Sequence, residues 1–525
     1  MAGDYDVVIV GAGHNGLVAG CYLARAGHRV AIVERSGKVG GMTSSGYLIP
    51  EAPRHMVTPC AVELIFLRFT GIIEEFELAK YGLRTVDPDP SYAYLHPDGN
   101  SIAVFRDPRR TAADMGRLSR ADGKAYLEFA KVLEALADFG RLIMERDPGR
   151  PWSPGALLKL IRAGVRNRRL RGELENLAAG TADQIACEWF EHPASIALLT
   201  GIAAGAGPLD EDGNATAYMI FGMLHAVGVG KPIGSMQSLS DALSAAYEKF
   251  GGTLFLNAPV AEIVIEDGKT RGVRIVDGRV IRSDVVIATS DPKTTFNMAT
   301  PGGIERRLAV RVEHAPAGRS NVLPFLANIA MSKPLRLKKH QDMRHDDADL
   351  NKACGLIGTP DEVRRSFDFA RRGELPDRVA VSVTPLSNSD PTQAPAGQSL
   401  AYIYLPAAPV VARDGWETLK PRLMRSLVAQ IGEFYEGLES EIGRFVEAPP
   451  DREKRLNVAR GCVTHIDFGA LRSGNKRPAY GLGGAEPVVP GLFLGGAGIH
   501  PGGGVTGLPG RITAERVVRY LKKRR

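Results

Sequence analysis

An unbroken apolar run, Val7 to Val10, is followed by glycines at 11, 13 and 16 and by a helix-compatible stretch, Leu17 to Ala26, which Gly27 closes. A second apolar run, Val30 to Val33, ends in Glu34. Continuous apolar runs of this length suit strands buried on both faces, and a glycine just past a periodic stretch is a helix stop. The pattern predicts strand, turn, helix, strand: a βαβ unit with G-x-G-x-x-G in its first turn. Such glycines permit a tight turn. They also let a pyrophosphate approach the backbone at a helix N-terminus, where unpaired N–H groups and the helix dipole favour an anion. Glu34 stands where a carboxylate can accept hydrogen bonds from both ribose hydroxyls, which disfavours a ribose phosphate. The unit therefore points to an adenine dinucleotide, NAD or FAD, and away from NADP.

Beyond this unit the periods change. Tyr92 to Leu95 and Ser101 to Phe105 flank Pro97-Asp98-Gly99 and predict a hairpin. Residues 111–178 read as helical. Tyr126, Phe129, Val132, Leu133, Leu136, Phe139, Leu142 and Ile143 recur at threes and fours as a core-facing stripe. Pro151 and Pro154 interrupt it. From Gly155 to Leu177, apolar Leu157, Leu158, Leu160, Ile161 and Val165 interleave with Lys159, Arg162, Arg166, Arg168, Arg169 and Arg171. A basic amphipathic helix of this kind fits a membrane surface or a solvated face packed on the domain.

Residues 181–236 are apolar and glycine-rich, which fits a greasy substrate cavity or plain core. A short helix from Ser238 ends at Gly251-Gly252. Strands at Thr253 to Leu256, Val260 to Glu266, Gly272 to Val276, Arg279 to Ile281 and Val285 to Thr289 would complete the dinucleotide domain. Further on, Val322 to Met331, Arg378 to Val383 and Leu400 to Leu405 predict strands, and Trp416 to about Phe445 a helix. A second glycine-dense stretch runs from Gly491 to Gly510. It reads as strand, loop and then helix, and its exposed N–H groups suit a phosphate or the electron-rich edge of a reduced flavin.

Composition narrows the class. The 525 residues, 44% apolar and 24% charged, suffice for two globular domains. No apolar run is long enough to span a bilayer, and the acidic opening Met1 to Asp6 carries no secretory pattern. Five scattered cysteines without C-x-x-C fit free thiols in a reducing cytoplasm. The net charge of +7, from 66 basic and 59 acidic residues, favours an anionic surface such as lipid headgroups, peripherally bound. The basic residues lack the aromatic interleaving of a nucleic-acid site. Cys187 and His192 are not at metal-ligand spacing, and no H-E-x-x-H, G-x-S-x-G or Walker loop occurs, so no metal is expected. The oligomeric state stays open.

Gly40-Gly41 resembles the extended FAD signature of the glutathione-reductase-like flavoproteins. With G-A-G-H-N-G-L at 11–17, Asp390-Pro391, Ala394-Pro395, Gly397, Arg477-Pro478 and G-L-F-L-G-G-A-G-I-H-P-G-G-G-V-T-G at 491–507, the chain resembles the phytoene desaturase family of FAD-dependent oxidoreductases, in its phytoene dehydrogenase-related branch. The resemblance implies an α/β fold. A Rossmann-like FAD-binding domain (1–110, 236–300 and 455–525) would be interleaved with an α+β substrate-binding and helical domain (111–235 and 301–454). It implies FAD held by Gly11, Gly13, His14, Asn15, Gly16, Glu34, Arg35, Gly40, Gly41, Met42, Val260, Gly498, Pro501, Gly503, Gly504, Val505 and Thr506. Two departures stand out. Ala497-Gly498 replaces the acid that many flavoproteins carry in this loop, and Pro232-Ile233-Gly234-Ser235 replaces P-x-G-G.

The implied activity is oxidation of a hydrophobic small molecule by hydride transfer to flavin, with oxygen or a quinone as acceptor. A redox-neutral isomerase or saturase, an amine oxidase and a non-catalytic FAD-binding protein at a membrane share the same motifs. His55 and His500 are the candidate proton acceptors, since the ordinary pKa of histidine suits that role.

Overall fold

A computed structural model describes residues 4–469, 472–484 and 486–524; Met1 to Gly3 of the acidic opening lie outside the described residues. A five-stranded parallel sheet has the order Leu492–Leu494, Val286–Ala288, Val7–Val10, Val30–Val33, Thr253–Phe255. Its alternating residues explain the unbroken apolar runs. Val7 and Ile9 pack with helices His14–Arg25, Gln237–Lys249 and Leu508–Arg524. Val8 and Val10 pack with a three-stranded antiparallel meander, Val260–Glu266, Lys269–Ile275 and Val280–Arg282. Both faces are covered, so neither parity is free to be polar.

A mixed seven-stranded sheet forms the second half, in the order Glu441–Glu447, Val322–Met331, Ser399–Pro409, Val381–Pro385, Cys354–Ile357, Tyr92–Leu95, Ser101–Val104. Only the contact between Cys354–Ile357 and Tyr92–Leu95 is parallel. Helix Trp416–Gly432 covers one face through Leu419, Leu423, Leu427 and Ile431. A helical layer, including Arg120–Met144, Pro193–Ala203 and Met219–Val227, covers part of the other through Tyr126, Phe129 and Leu133. The remainder of that face, with Leu326 and Tyr402, fronts the parallel-sheet half.

Three expectations differ from this architecture. The 92–104 hairpin, expected within the 1–110 dinucleotide segment, pairs into the seven-stranded sheet, because Tyr92, Ala93 and Tyr94 register with Cys354, Gly355 and Leu356. The helix from Trp416 stops at Gly432, and Glu441–Glu447 is an edge strand; Gly437, at φ +102°, turns the chain between them. The basic helix is two helices, Pro154–Arg166 and Arg171–Ala179, parted at Asn167, whose φ/ψ of −100°/19° leaves the helical region.

Candidate active site

The glycines at both ends of the N-terminal unit bring backbone against backbone. Gly11 has φ +100°, and a Cβ on Gly16 would lie 2.0 Å from the Gly11 carbonyl oxygen, so helix His14–Arg25 begins directly on the turn. Gly13 and Gly40 form a parallel bridge, and the Gly40 N–H donates to Ala12 O at 2.9 Å. The helix is capped by Gly13 with no side-chain hydrogen bond, which leaves first-turn N–H groups for a ligand. Glu34 is pre-positioned at the end of its strand: Oε2 accepts the Ala12 N–H at 2.8 Å and Oε1 the Ser36 N–H at 2.9 Å.

These groups open into a cavity of about 680 Å³. Gly11, Gly13, His14, Asn15, Glu34 and Arg35 line it on one side, Gly41, Met42 and Val260 lie alongside, and Gly503, Gly504 and Val505 enter from the C-terminal loop. Gly16, Gly40, Gly498, Pro501 and Thr506 are not part of its lining. Gly16 and Gly40 act one layer behind it as close-approach positions. A Cβ on Gly498 would meet Pro292 Cγ at 2.4 Å, so that glycine serves packing. The Thr506 carbonyl accepts the Thr70 hydroxyl at 3.2 Å. Ser235, in place of the motif glycine, keeps a left-handed φ of +86°, and the Gly234 N–H donates to Asp390 Oδ2 at 2.7 Å.

Neither candidate proton acceptor reaches the cavity. His55 is buried in a turn, with both ring nitrogens lacking a hydrogen-bond partner. His500 Nε2 lies 3.0 Å from the Ile143 carbonyl, and burial pushes its pKa down to about 4. Two other histidines line the cavity, His14 and His465. Burial, helped by His465 beside His14 and by Arg477 beside His465, lowers them to about 4 and about 3 respectively, so both rings are neutral. His14 belongs to the glycine motif. His465 has no sequence signal, since it reaches the cavity only through the folding of the connection between strands Glu441–Glu447 and Leu492–Leu494.

The far wall comes from the seven-stranded sheet. Tyr402 and Tyr404, two apart on one strand, face the cavity together with Pro324 and Leu326 of the neighbouring strand. The Tyr402 hydroxyl donates to Cys60 O at 2.7 Å. Alternation within Leu400 to Leu405 put the two tyrosines on a common face, but only the register with Val322–Met331 turns that face towards the dinucleotide half.

The residues present fit FAD. An uncapped helix N-terminus meets two glycine turns, a fixed carboxylate lies beyond them, and Asn15 Oδ1 and His465 Nδ1 are buried at the cavity without any protein partner. The flavin containing amine oxidoreductase family model matches residues 16–517. The chain is 26% identical to pyridine nucleotide-disulfide oxidoreductase domain-containing protein 2 of Rattus norvegicus, across 99% of this chain and 94% of the relative. It is 24% identical to a neurosporene-forming phytoene desaturase of Rhodobacter capsulatus, across 96% and 91%. An oxidoreductase structure from Methanosarcina mazei shares the fold at a TM-score of 0.60 and 16% identity, covering 98% of this chain and 99% of that one. The glycine-built cradle and these relationships lead to one conclusion: the chain belongs to the flavin containing amine oxidoreductase family and is an FAD-dependent oxidoreductase.

Proposed function

We propose that the protein dehydrogenates a hydrophobic small molecule. The observation that carries this reading is the continuity of one cavity from the glycine cradle to a wall of Pro324, Leu326, Tyr402, Tyr404 and Val463. Ligand sites of this build bind apolar molecules and orient them with few polar groups. The phytoene desaturase relative is named for an apolar polyene. Gly11, Gly13 and the N–H groups at His14 and Asn15 hold the pyrophosphate, Glu34 the ribose, and Val260 the adenine side. Gly41, Met42, Gly503, Gly504 and Val505 enclose the rest of the cofactor.

Bound FAD supplies a two-electron acceptor for a hydride from carbon. The tyrosines and Leu326 would position the substrate, and the accompanying proton would go to solvent or a nearby base. The acceptor class proposed for the two electrons is oxygen or a quinone. In this reading the chain forms two discontinuous domains, and the 92–104 hairpin, paired with Cys354–Ile357, belongs to the substrate-binding one.

Anaerobic titration of the purified protein with polyenes, smaller lipophilic alkenes and amines tests the reading. Bleaching of the flavin spectrum by an alkene or polyene is expected. Bleaching by amines alone would replace it with amine oxidation, and a spectrum that no compound bleaches would favour a redox-neutral reaction.

We further propose that helix Pro154–Arg166 rests on an anionic membrane surface. None of its residues is buried, and Leu157, Leu158, Ile161 and Val165 are 44%, 46%, 53% and 61% exposed, flanked by Lys159 and Arg162. No helix among the described residues is long and apolar enough to cross a membrane. Apolar side chains bordered by cations suit the headgroup boundary. Co-sedimentation with anionic but not zwitterionic vesicles is expected, and its loss in Leu157→Ser/Ile161→Ser is the check.

A further inference from the structure

His465 combines features that no packing role explains. Its φ is +64°, in the left-handed region that glycine enters freely and a side chain enters at a cost. Its ring is buried and lines the cavity, yet Nδ1 has no hydrogen-bond partner in the protein. An orphaned buried polar atom is destabilising until something satisfies it. Strain and an unmet hydrogen bond at one residue mark a site shaped for a ligand.

The surroundings hold this conformation firmly. Arg477, fully buried, donates to Thr464 O at 2.7 Å, Ile466 O at 2.7 Å and Asp467 O at 3.1 Å, so it grips the chain on both sides of His465. The same guanidinium donates to Ala497 O at 3.1 Å, tying this turn to the C-terminal glycine loop. A Cβ on Gly496 would stand 2.2 Å from Thr289 O and 3.2 Å from His465 Cε1, so this glycine lets the loop pack on Thr289 with the ring beside it. His14 and the second orphan, Asn15 Oδ1, line the same cavity at the uncapped helix start.

We propose that His465 is a cofactor-contacting residue whose neutral imidazole completes its hydrogen bonding on a hydroxyl or phosphoryl oxygen of bound FAD. The contact is a neutral hydrogen bond, because burial and the Arg477 charge oppose protonation of the ring. It rests on FAD binding and is independent of the substrate reading. His465 thereby does with a side chain what the glycine loops do with backbone.

The test uses flavin-free protein titrated with FAD and read by quenching of flavin fluorescence. His465→Gly keeps the left-handed backbone at no steric cost, so the apoprotein should melt at or above the wild-type temperature. FAD affinity should nevertheless fall by about tenfold or more, the size expected for one buried hydrogen bond. His465→Asn, which tolerates the same φ and offers an amide near the Nδ1 position, should recover most of that loss. Wild-type affinity in both variants would overturn the proposal and leave the ring a strained packing element. If neither variant folds, diethyl pyrocarbonate labelling of wild-type His465, read by peptide mass spectrometry, decides: FAD must protect it, and unchanged labelling overturns the contact. Wild-type protein that binds no FAD would instead refute the cofactor assignment itself.

Discussion

At the dinucleotide end of the cavity the chain presents backbone; at the sheet end it presents side chains. The first surface depends on what is missing. Gly16 sits where a Cβ would be 2.0 Å from Gly11 O, and Gly510 where one would be 2.2 Å from Asn15 O, which lets the first and last helices approach. The second depends on what is present: Leu326, Tyr402 and Tyr404 project from paired strands. A backbone surface tolerates almost no substitution and serves one ligand. A side-chain wall can be rebuilt residue by residue, so one cradle can serve different substrates.

The strongest way to break this comparison is Gly16→Ala. Its methyl would collide with a fixed carbonyl, and we expect a loss of roughly 3 kcal/mol or more, seen as absent flavin absorbance and poor soluble yield. A flavin-replete Gly16→Ala protein would show that the turn is not rigid. On the sheet side, Arg452 and Glu447 are 0% and 1% exposed and paired at 2.9 Å, and Arg452 also donates to Pro324 O at 2.9 Å behind the wall. Glu447→Gln leaves a buried guanidinium without its counter-charge, costing about 3–5 kcal/mol. The melting temperature should fall while protein kept cold retains FAD.

Tyr404→Ala sharpens the contrast further. It should lower kcat/KM by about tenfold or more for the preferred substrate and leave flavin content unchanged. The smallest effect is on acid stability. His500, packed beside Ile143, Met144, Arg146 and Arg516, is held neutral with a pKa near 4, against an unfolded value near 6.5. Because the unfolded chain binds the proton first, its contribution is full above the unfolded value and is lost as pH falls through the window between the two. We expect roughly 1–2 kcal/mol of lost stability on going from about pH 7 to about pH 5. His500→Leu should flatten that slope in urea melts.

The βαβ unit was legible because its requirements are local. Apolar runs, glycine spacing and a terminal acid lie within one stretch, and the structure realises each of them. The 92–104 hairpin was legible as a hairpin, but its sheet was not: its partner Cys354–Ile357 is remote in sequence. The helix expected to reach Phe445 shows the same limit, since an edge strand, Glu441–Glu447, is defined by pairing with Val322–Met331 and not by its own pattern. His55 and His500 looked apt by residue type and neighbourhood. The fold instead buries both away from the cavity.

The sequence by itself determined the cofactor cradle, because glycine is a statement about backbone geometry that needs no distant partner to be read. Only the tertiary structure decided which histidines and which strands line the cavity. Those depend on long-range register and on a single buried arginine, Arg477, that fastens the turn around His465 to the C-terminal loop. Such contacts leave no periodicity in the chain, since each is one pairing between segments far apart.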